Sequence, residues 1–396
     1  MTSPEPDTQR ALDLVMQMMA IPGKSGEEQA IAEFIRERLL AAGIPPEQIQ
    51  FDDAHRRTIL PGQVGNMIVK LPGTMRGPRR LLAAHLDTVP ICVGSQPIRQ
   101  GPLVASANPA TGLGADNRSG CAAILTALLE IAEHQLPHPP LTVCWFVQEE
   151  VGLQGSRHLR KSLLGQPKLA FNWDGGPAAK MTVGATGGYR MTIDVSGRAS
   201  HAGVAPQRGV SAIAIASLAI ADLHRGGWHG AVQKGKKQGT SNVGVIAGGE
   251  ATNVVTDRVQ LKAEARSHDP RFRERIIREI ERSFQRAARE VRNESRQGGS
   301  VHFDGRLDYE SFRLDENEPC VLAAQRAIQS VGLEPYRAVT NGGVDANWLH
   351  SHGVPTVTLG AGQMSAHMTD ERLDVTEFEA GCRIALRLAT ANEASS

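Results

Sequence analysis

Residues 141–156 read LTVCWFVQEEVGLQGS. The first seven are apolar but for one threonine, the composition of a strand buried on both faces. After Gln148 come two adjacent glutamates, and then two glycines, Gly152 and Gly155, which let the backbone turn sharply. Carboxylates at a strand end are either solvated surface or parts of a site. Neighbours in a strand point to opposite faces, so Glu149 and Glu150 are expected to diverge and to be able to do different jobs.

Working outward, similar apolar runs occur at 67–71, 81–84, 169–173 and 356–359, and helical patterns separate several of them, as at 119–133. Continuous apolar strands alternating with helices predict an α/β domain with a mostly parallel sheet covered by helices. Nearer the start, Leu12, Val15, Met16 and Met19 recur at helical spacing. SGEEQAIAEFIRERL (25–39) reads as a helix opened by a capping box of Ser25 and Glu28, with Ile31, Phe34, Ile35 and Leu39 on one face.

The texture changes at GATGG (184–188). Met191, Ile193 and Val195 alternate with polar residues, and RVQLKAEAR (258–266) and VHFDGRLDY (301–309) alternate in the same way. That pattern predicts an antiparallel sheet with one wet face. An apolar helix over 210–223 and a charged one over 272–291 complete a β-α-β-β-α-β order. After about Asp315 the α/β style returns. The expected organisation is a discontinuous α/β domain, 1–185 and 313–396, with an inserted α+β lid or dimerisation domain, 186–312. A chain of 396 residues suits two domains, since single cores rarely exceed about 250–300 residues.

Bulk charge excludes several classes. Lys+Arg (43) nearly balances Asp+Glu (42), so no global field draws nucleic acid or an anionic membrane surface. No apolar stretch approaches the roughly 20 residues that span a bilayer, and the first twenty residues lack a signal-peptide layout. Five scattered cysteines, Cys92, Cys121, Cys144, Cys320 and Cys382, with no C-x-x-C pair, read as reduced core residues of a cytoplasmic protein. Two stretches mimic binding motifs. PGKSG (22–26) lacks the leading glycine of a phosphate loop, Met18 standing there, and reads as a turn with a helix cap. QKGKKQG (233–239) reads as a solvated loop.

The C-terminal edge of an open α/β sheet is where such folds place their sites. Polar residues collect there: His85 and Asp87 after 81–84, Asp116 after 112–115, Glu149 and Glu150 after 141–147, Asp174 after 169–173, and His367 in the loop after 356–359. A lone histidine of this kind is more often a hydrogen-bonded core or surface residue; several such segments together point to a site. Imidazoles and carboxylates without thiolates suit zinc, cobalt or manganese. The set is too large for one tetrahedral zinc and about right for two divalent ions sharing a bridging carboxylate, roughly 3.5–4 Å apart. A carboxylate beside the ions but not bound to them can move protons. One glutamate of the pair would then bind metal while its neighbour acts as general base.

These motifs resemble those of the co-catalytic zinc exopeptidases, the family that includes peptidase T (tripeptide aminopeptidase), glutamate carboxypeptidase and aminoacylase. The matching stretches are AAHLDTVP (83–90), GLGADNRSG (112–120), VQEEVGLQGS (147–156), NWDGG (172–176), GRASHAG (197–203), NVVTDRVQLKAEARSHD (253–269), NGGVDANWL (341–349) and SAHMTDERL (365–373). The resemblance implies that His85, Asp116 and Asp174 hold one ion, that Asp116, Glu150 and His367 hold the other, and that Glu149 is the general base. It also implies that Asp87 orients the His85 imidazole and that the Asp116–Asn117 bond is cis. Aspartate at 174, with ATNVV and EARSHD, points to the peptidase T-like branch.

For the lid, the resemblance implies substrate recognition. Arg266 offers a guanidinium fork for a substrate carboxylate, or else a solvated partner for Glu264. His201 could donate to the carbonyl oxygen as charge develops, across a dimer interface as the family suggests, with Asn253 in the same cleft. Gly343, beside Gly342, would bring backbone close to substrate. Many family members carry arginine and threonine around that pair, whereas this chain has Asn341 and Val344, which puts tripeptide specificity in question. The expected function is cleavage of a terminal peptide bond of a small peptide by metal-bound hydroxide, with Glu149 handling protons. An N-acyl amino acid deacylase or a carboxypeptidase is the alternative on this scaffold. A non-catalytic binding protein is the rival from another class. Helix 210–223 offers a homodimer surface or lid core.

Overall fold

In a computed structural model, the chain is described over residues 4–390. The chain ends, 1–3 and 391–396, which the expected α/β domain includes, lie outside the described residues. Two compact units emerge: one takes the chain up to Gly184, Arg313–Thr340 and the segment from Val344 on, the other Ala185–Phe312 with Asn341–Gly343. The short segment groups with the inserted unit because Gly343 packs against the Tyr309 ring and His268 bonds Asn341 (2.9 Å).

The first unit is α/β with a mostly parallel central sheet. Seven of its nine strands run in the order Ile49–Phe51, Met67–Leu71, Leu141–Phe146, Arg80–His85, Leu169–Trp173, Thr356–Leu359, Lys180–Ala185. The middle four are mutually parallel, and the outer ones run antiparallel to their neighbours. Every residue of Leu141–Phe146 and Arg80–His85 is buried. One face of the sheet packs Leu81, Ala83, Cys144 and Phe146 on Leu159, Leu164 and Leu349. Helix Ala115–His134 packs against strand Arg80–His85 and against helix Val375–Thr390. Burying a Leu or Phe side chain stabilises by about 1.5–3 kcal/mol, and this apolar slab offsets the cost of desolvating polar groups at its edge.

Helix Gln29–Ala41 starts differently from the capping box read in the sequence. Glu28 is its N-cap, and the Glu28 side chain makes no capping hydrogen bond. Ser25 donates instead to Asp87 Oδ2 (2.6 Å), and Glu28 Oε1 accepts from the backbone N–H of Gly26 (2.8 Å) and Gln148 (3.0 Å). A buried carboxylate needing donors outcompetes the local cap. No helix among the described residues is long and apolar enough to cross a membrane.

The inserted unit is a five-stranded antiparallel sheet, in the order Gly230–Lys234, Lys237–Gly248, Arg258–Ser267, Gly187–Ser196, Ser300–Tyr309, covered by helices Ala212–Arg225 and Pro270–Glu290. Its core joins Met191, Ile193, Val195, Leu261, Ile276 and Phe284. The stretch 233–239, read as a solvated loop, is a tight hairpin pairing Lys234 with Lys237, so the unit has one strand more than the expected β-α-β-β-α-β. Gly235 takes φ +63° at the first turn position, the conformation such a turn requires.

Candidate active site

The parallel strands end on one edge, and the polar residues gather there. His85 closes its strand, Asp174 directly follows Trp173, and Glu149 and Glu150 lie just past Phe146. Strand alternation is not what splays the two glutamates, because the strand has already ended and Gln148 intervenes with φ +53°. Asp87 holds them instead: its Oδ1 accepts from the Glu149 N–H (2.9 Å) and its Oδ2 from the Glu150 N–H (3.2 Å). Gly152 needs its φ of +104°, and a Cβ at Gly155 would run into the Val147 carbonyl oxygen. Asp116 sits at a break in helix Ala115–His134, where Asp116 and Asn117 are non-helical and the bond between them is cis.

Asp116 stands between the two imidazoles. Its Oδ1 lies 3.2 Å from His85 Nε2 and its Oδ2 lies 3.5 Å from His367 Nε2. Asp174 Oδ1 is 3.8 Å from His85 Nε2, and both Glu150 oxygens are 2.9 Å from His367 Nε2. Ligand atoms of His85, Asp116 and Glu150 lie within 4.8 Å of one another, as do those of His85, Glu149 and Asp174. The second group shows that Glu149 is as close to the donors as a ligand would be.

Charge in the cluster is unevenly settled. Burial pulls the His85 pKa down, and the carboxylates of Asp116, Asp174 and Asp87 more than reverse it, leaving the imidazole well above its ordinary value. Beside Asp116 and Glu150, His367 is raised to about 10. Burial pushes Glu149 well above the usual carboxylate range, Glu150 to about 7 and Asp174 to about 6. Burial would raise Asp116 as well, but the two imidazoles hold it below its ordinary value.

A second ring of groups fixes the first. His85 Nδ1 donates to the Asp87 backbone carbonyl (3.0 Å), closer than the Asp87 carboxylate (3.5 Å), which leaves Nε2 facing Asp116 and Asp174. Glu371, buried and missed in the sequence, accepts from the backbone N–H of Leu113 (2.8 Å), Gly114 (2.7 Å) and Asp116 (2.9 Å). It follows His367 in the same loop, so one segment supplies an imidazole and anchors the turn carrying Asp116. Asp345, also missed, is fully buried and pushed up to about 7 by burial, with Asp174 and Asp87 adding to the rise. No spacing rule marks either residue; both sit in stretches whose polarity reads as loop.

The remaining candidates lie in the inserted unit. His201 is exposed, and its Nδ1 accepts from the N–H of Gly203 and Val204 (3.2 Å each), so the ring proton resides on Nε2. Asn253 is exposed, and its carbonyl accepts from Ala202 N–H (2.9 Å), which ties it to the His201 turn. The Arg266 fork is engaged by Glu264 in a bidentate pair, 3.0 Å on each arm. Gly343 has its Cα against the Tyr309 ring, where a side chain would clash.

The donor set suits divalent ions. Asp116 Oδ1 is buried and lacks a hydrogen-bond partner although it lies 3.2 Å from an imidazole nitrogen, the arrangement of two donors turned toward a shared cation. Two imidazoles and several carboxylates form a hard-to-borderline set that fits zinc, cobalt or manganese.

Comparison with known proteins is consistent with this chemistry. The model of peptidase family M20/M25/M40 matches residues 81–391. A tripeptidase from Staphylococcus aureus superposes with a TM-score of 0.87 at 29% identity, over 98% of this chain and 99% of that one. The aminopeptidase PepT of Bacillus cereus superposes with a TM-score of 0.82 at 29% identity, over 97% of this chain and 98% of its own. An uncharacterised protein of Bacillus subtilis is 28% identical over 370 residues, 93% of this chain and 94% of the relative.

Proposed function

The chain belongs to peptidase family M20/M25/M40 and is a metallopeptidase, and from that premise we propose that it releases a terminal residue from small peptides at a two-zinc centre. His85, Asp116 and Asp174 would hold one ion, and Asp116, Glu150 and His367 the other. The observation that carries the reading is the placement of Asp116, one oxygen toward each imidazole. When bound, the ions supply Lewis acidity at the scissile carbonyl and bring a water's pKa towards neutrality.

This chain's residues do the rest. Glu149 takes the proton of the attacking water and passes it to the leaving amine, the role open to a carboxylate whose backbone Asp87 fixes. Asp87 orients His85 through its carbonyl. The His201 Nε2–H donates to the carbonyl oxygen as charge develops, with Asn253 beside it. Arg266 exchanges its Glu264 partner for a substrate carboxylate. Gly343 keeps the path clear for the peptide backbone.

In this reading the first unit is catalytic and the inserted unit is a lid through which two copies pair. Pairing is supported by strand Lys237–Gly248, which runs past its short neighbour and leaves Val245 and Ile246 about half exposed. Five buried, unpaired cysteines favour a reducing compartment, the cytoplasm. The test is metal quantification on the purified protein, followed by a panel of dipeptides, tripeptides, N-blocked and C-amidated analogues and N-acyl amino acids. Two ions per chain and cleavage that needs a free N-terminus support the reading. Turnover confined to N-acyl amino acids would replace it with a deacylase, and cleavage of N-blocked peptides with a carboxypeptidase.

A further inference from the structure

A cavity of about 390 Å³ in the first unit opens against Glu150, and nothing above gives it a task. Its walls come from four segments: Lys24–Glu27, Leu60–Pro61, Val89–Pro90 and Glu150–Val151. We propose that this cavity is the side-chain pocket of the peptidase reading, that it takes the apolar side chain of a residue flanking the scissile bond, and that Leu60 and Val89 set that preference.

The pocket is tied to the candidate reactive groups. Ser25 lines it and donates to Asp87 Oδ2 (2.6 Å), the same oxygen that receives the Glu150 N–H. Thr88 N–H donates to the Gly23 carbonyl (3.0 Å), and Gln63 N–H to the Gly26 carbonyl (3.1 Å). Gly26 has φ +90°, and a Cβ there would lie 2.8 Å from the Pro61 carbonyl oxygen, so the wall segments are in close contact. Gln148, one residue before Glu149, donates through its side chain to the Leu60 carbonyl (3.1 Å). A side chain seated here is therefore held by the same loops that carry Asp87, Glu149 and Glu150.

The chemistry of the lining selects the occupant. Leu60, Pro61, Val89, Pro90 and Val151 are apolar, and Leu60 is 38% exposed at the mouth. The two charged rim residues, Lys24 and Glu27, are paired with each other at 3.1 Å. The remaining charge is Glu150, whose oxygens are turned to His367. An apolar side chain gains burial at no electrostatic cost. An acidic one meets the charge of Glu150 and is disfavoured. The volume falls within the range of pockets that take small ligands, so a branched or aromatic side chain is accommodated.

Tripeptides carrying Ala, Leu, Phe or Glu in turn at each position, assayed with the metal-loaded full chain, test the proposal. At one flanking position Leu and Phe should exceed Glu by roughly 10-fold or more in kcat/KM. Leu60→Asp and Val89→Asp should remove most of that preference, and Leu60→Arg should shift it toward Glu. Calorimetric titration of the same metal-loaded proteins with N-acetyl-leucinamide and N-acetyl-glutamate amide reads the pocket without turnover. If no peptide is cleaved, the peptidase reading falls, and the titration alone decides the pocket. Equal binding of the two amides, or a side-chain preference unmoved in all three variants, overturns it.

Discussion

In the first unit most of the candidate groups are enclosed, His367 being the exposed exception. His85, Asp87 and Glu149 are buried, and each is fixed by a partner: the Asp87 carbonyl for His85, the glutamate backbone N–H groups for Asp87. In the inserted unit His201 and Asn253 are exposed, and Arg266 rests in a pair with Glu264 on a half-wet sheet. The difference teaches how the two kinds of work are built. The groups on the strand ends proposed to hold cations and shift protons, His85 and Glu149 among them, are desolvated and pre-aligned by an apolar slab, where electrostatics are strong. The groups proposed to meet substrate are left solvated, with their hydrogen-bonding capacity set by a local turn, as the His201 tautomer is.

Breaking the enclosed half should have the largest effect. Glu149→Ala is expected to lower kcat by about 10³-fold while two metals per chain remain, measured by steady-state kinetics and metal analysis. Loss of an ion in that variant would mean that Glu149 is a ligand and Glu150 the base, the alternative kept open by the closeness of Glu149 to His85 and Asp174. In the exposed half, His201→Ala should lower kcat by about 10²-fold with little change in KM, since the bond it makes strengthens only as charge develops. An effect on KM alone would reassign His201 to ground-state binding.

Glu371→Ala probes whether alignment in the enclosed half depends on its outer ring. Three backbone donors around Asp116 lose their acceptor, and metal affinity should weaken by about 10–100-fold in a chelator competition. Glu371→Gln, which keeps an acceptor oxygen, should recover part of it. Unchanged affinity in both would reduce Glu371 to a structural residue. Arg266→Ala should raise KM by about 10-fold for peptides with a free C-terminal carboxylate and leave their amides unchanged. Equal effects on both substrates would leave the guanidinium as the partner of Glu264 alone.

The smallest effect expected is on stability against pH, and it separates the halves by metal. Glu150 and Asp174 are raised to about 7 and about 6, chiefly by burial. A group whose folded pKa is raised binds protons more tightly folded than unfolded, so its contribution is present at low pH and lost as pH rises through the folded value. His367, raised to about 10 by Asp116 and Glu150, has the same sign over a higher window. The chelated chain should therefore lose thermal stability from about pH 4 to about pH 10 relative to the metal-saturated chain, whose ligands must be deprotonated to bind. Parallel Tm curves with and without chelator would show that the cluster does not hold ions.

Much of this architecture was legible in residue order. Strands 67–71, 169–173 and 356–359 coincide with their apolar runs, because a strand covered on both faces leaves an unbroken hydrophobic signature. The alternating runs of the inserted unit are equally plain, since a half-wet sheet alternates. The hairpin at 233–239 was not legible: its short edge strand, Gly230–Lys234, buries only Val232, too little to show a period. Ser25 looked like a cap and is a donor to Asp87, a partner 62 residues away that local spacing cannot reveal.

By itself, the sequence determined the strand ends and hence that His85, the Glu149–Glu150 pair and Asp174 could share one edge, because hydrophobic period follows from burial and parallel strands end together. Only the tertiary structure decided that Asp116 turns one oxygen to each histidine, that Asp87 works through two backbone N–H groups as well as its carbonyl, and that Glu371 anchors the Asp116 turn. Those are contacts between segments distant in sequence, set by the packing of loops onto the slab, and hydrogen bonds of that kind leave no periodic trace in residue order.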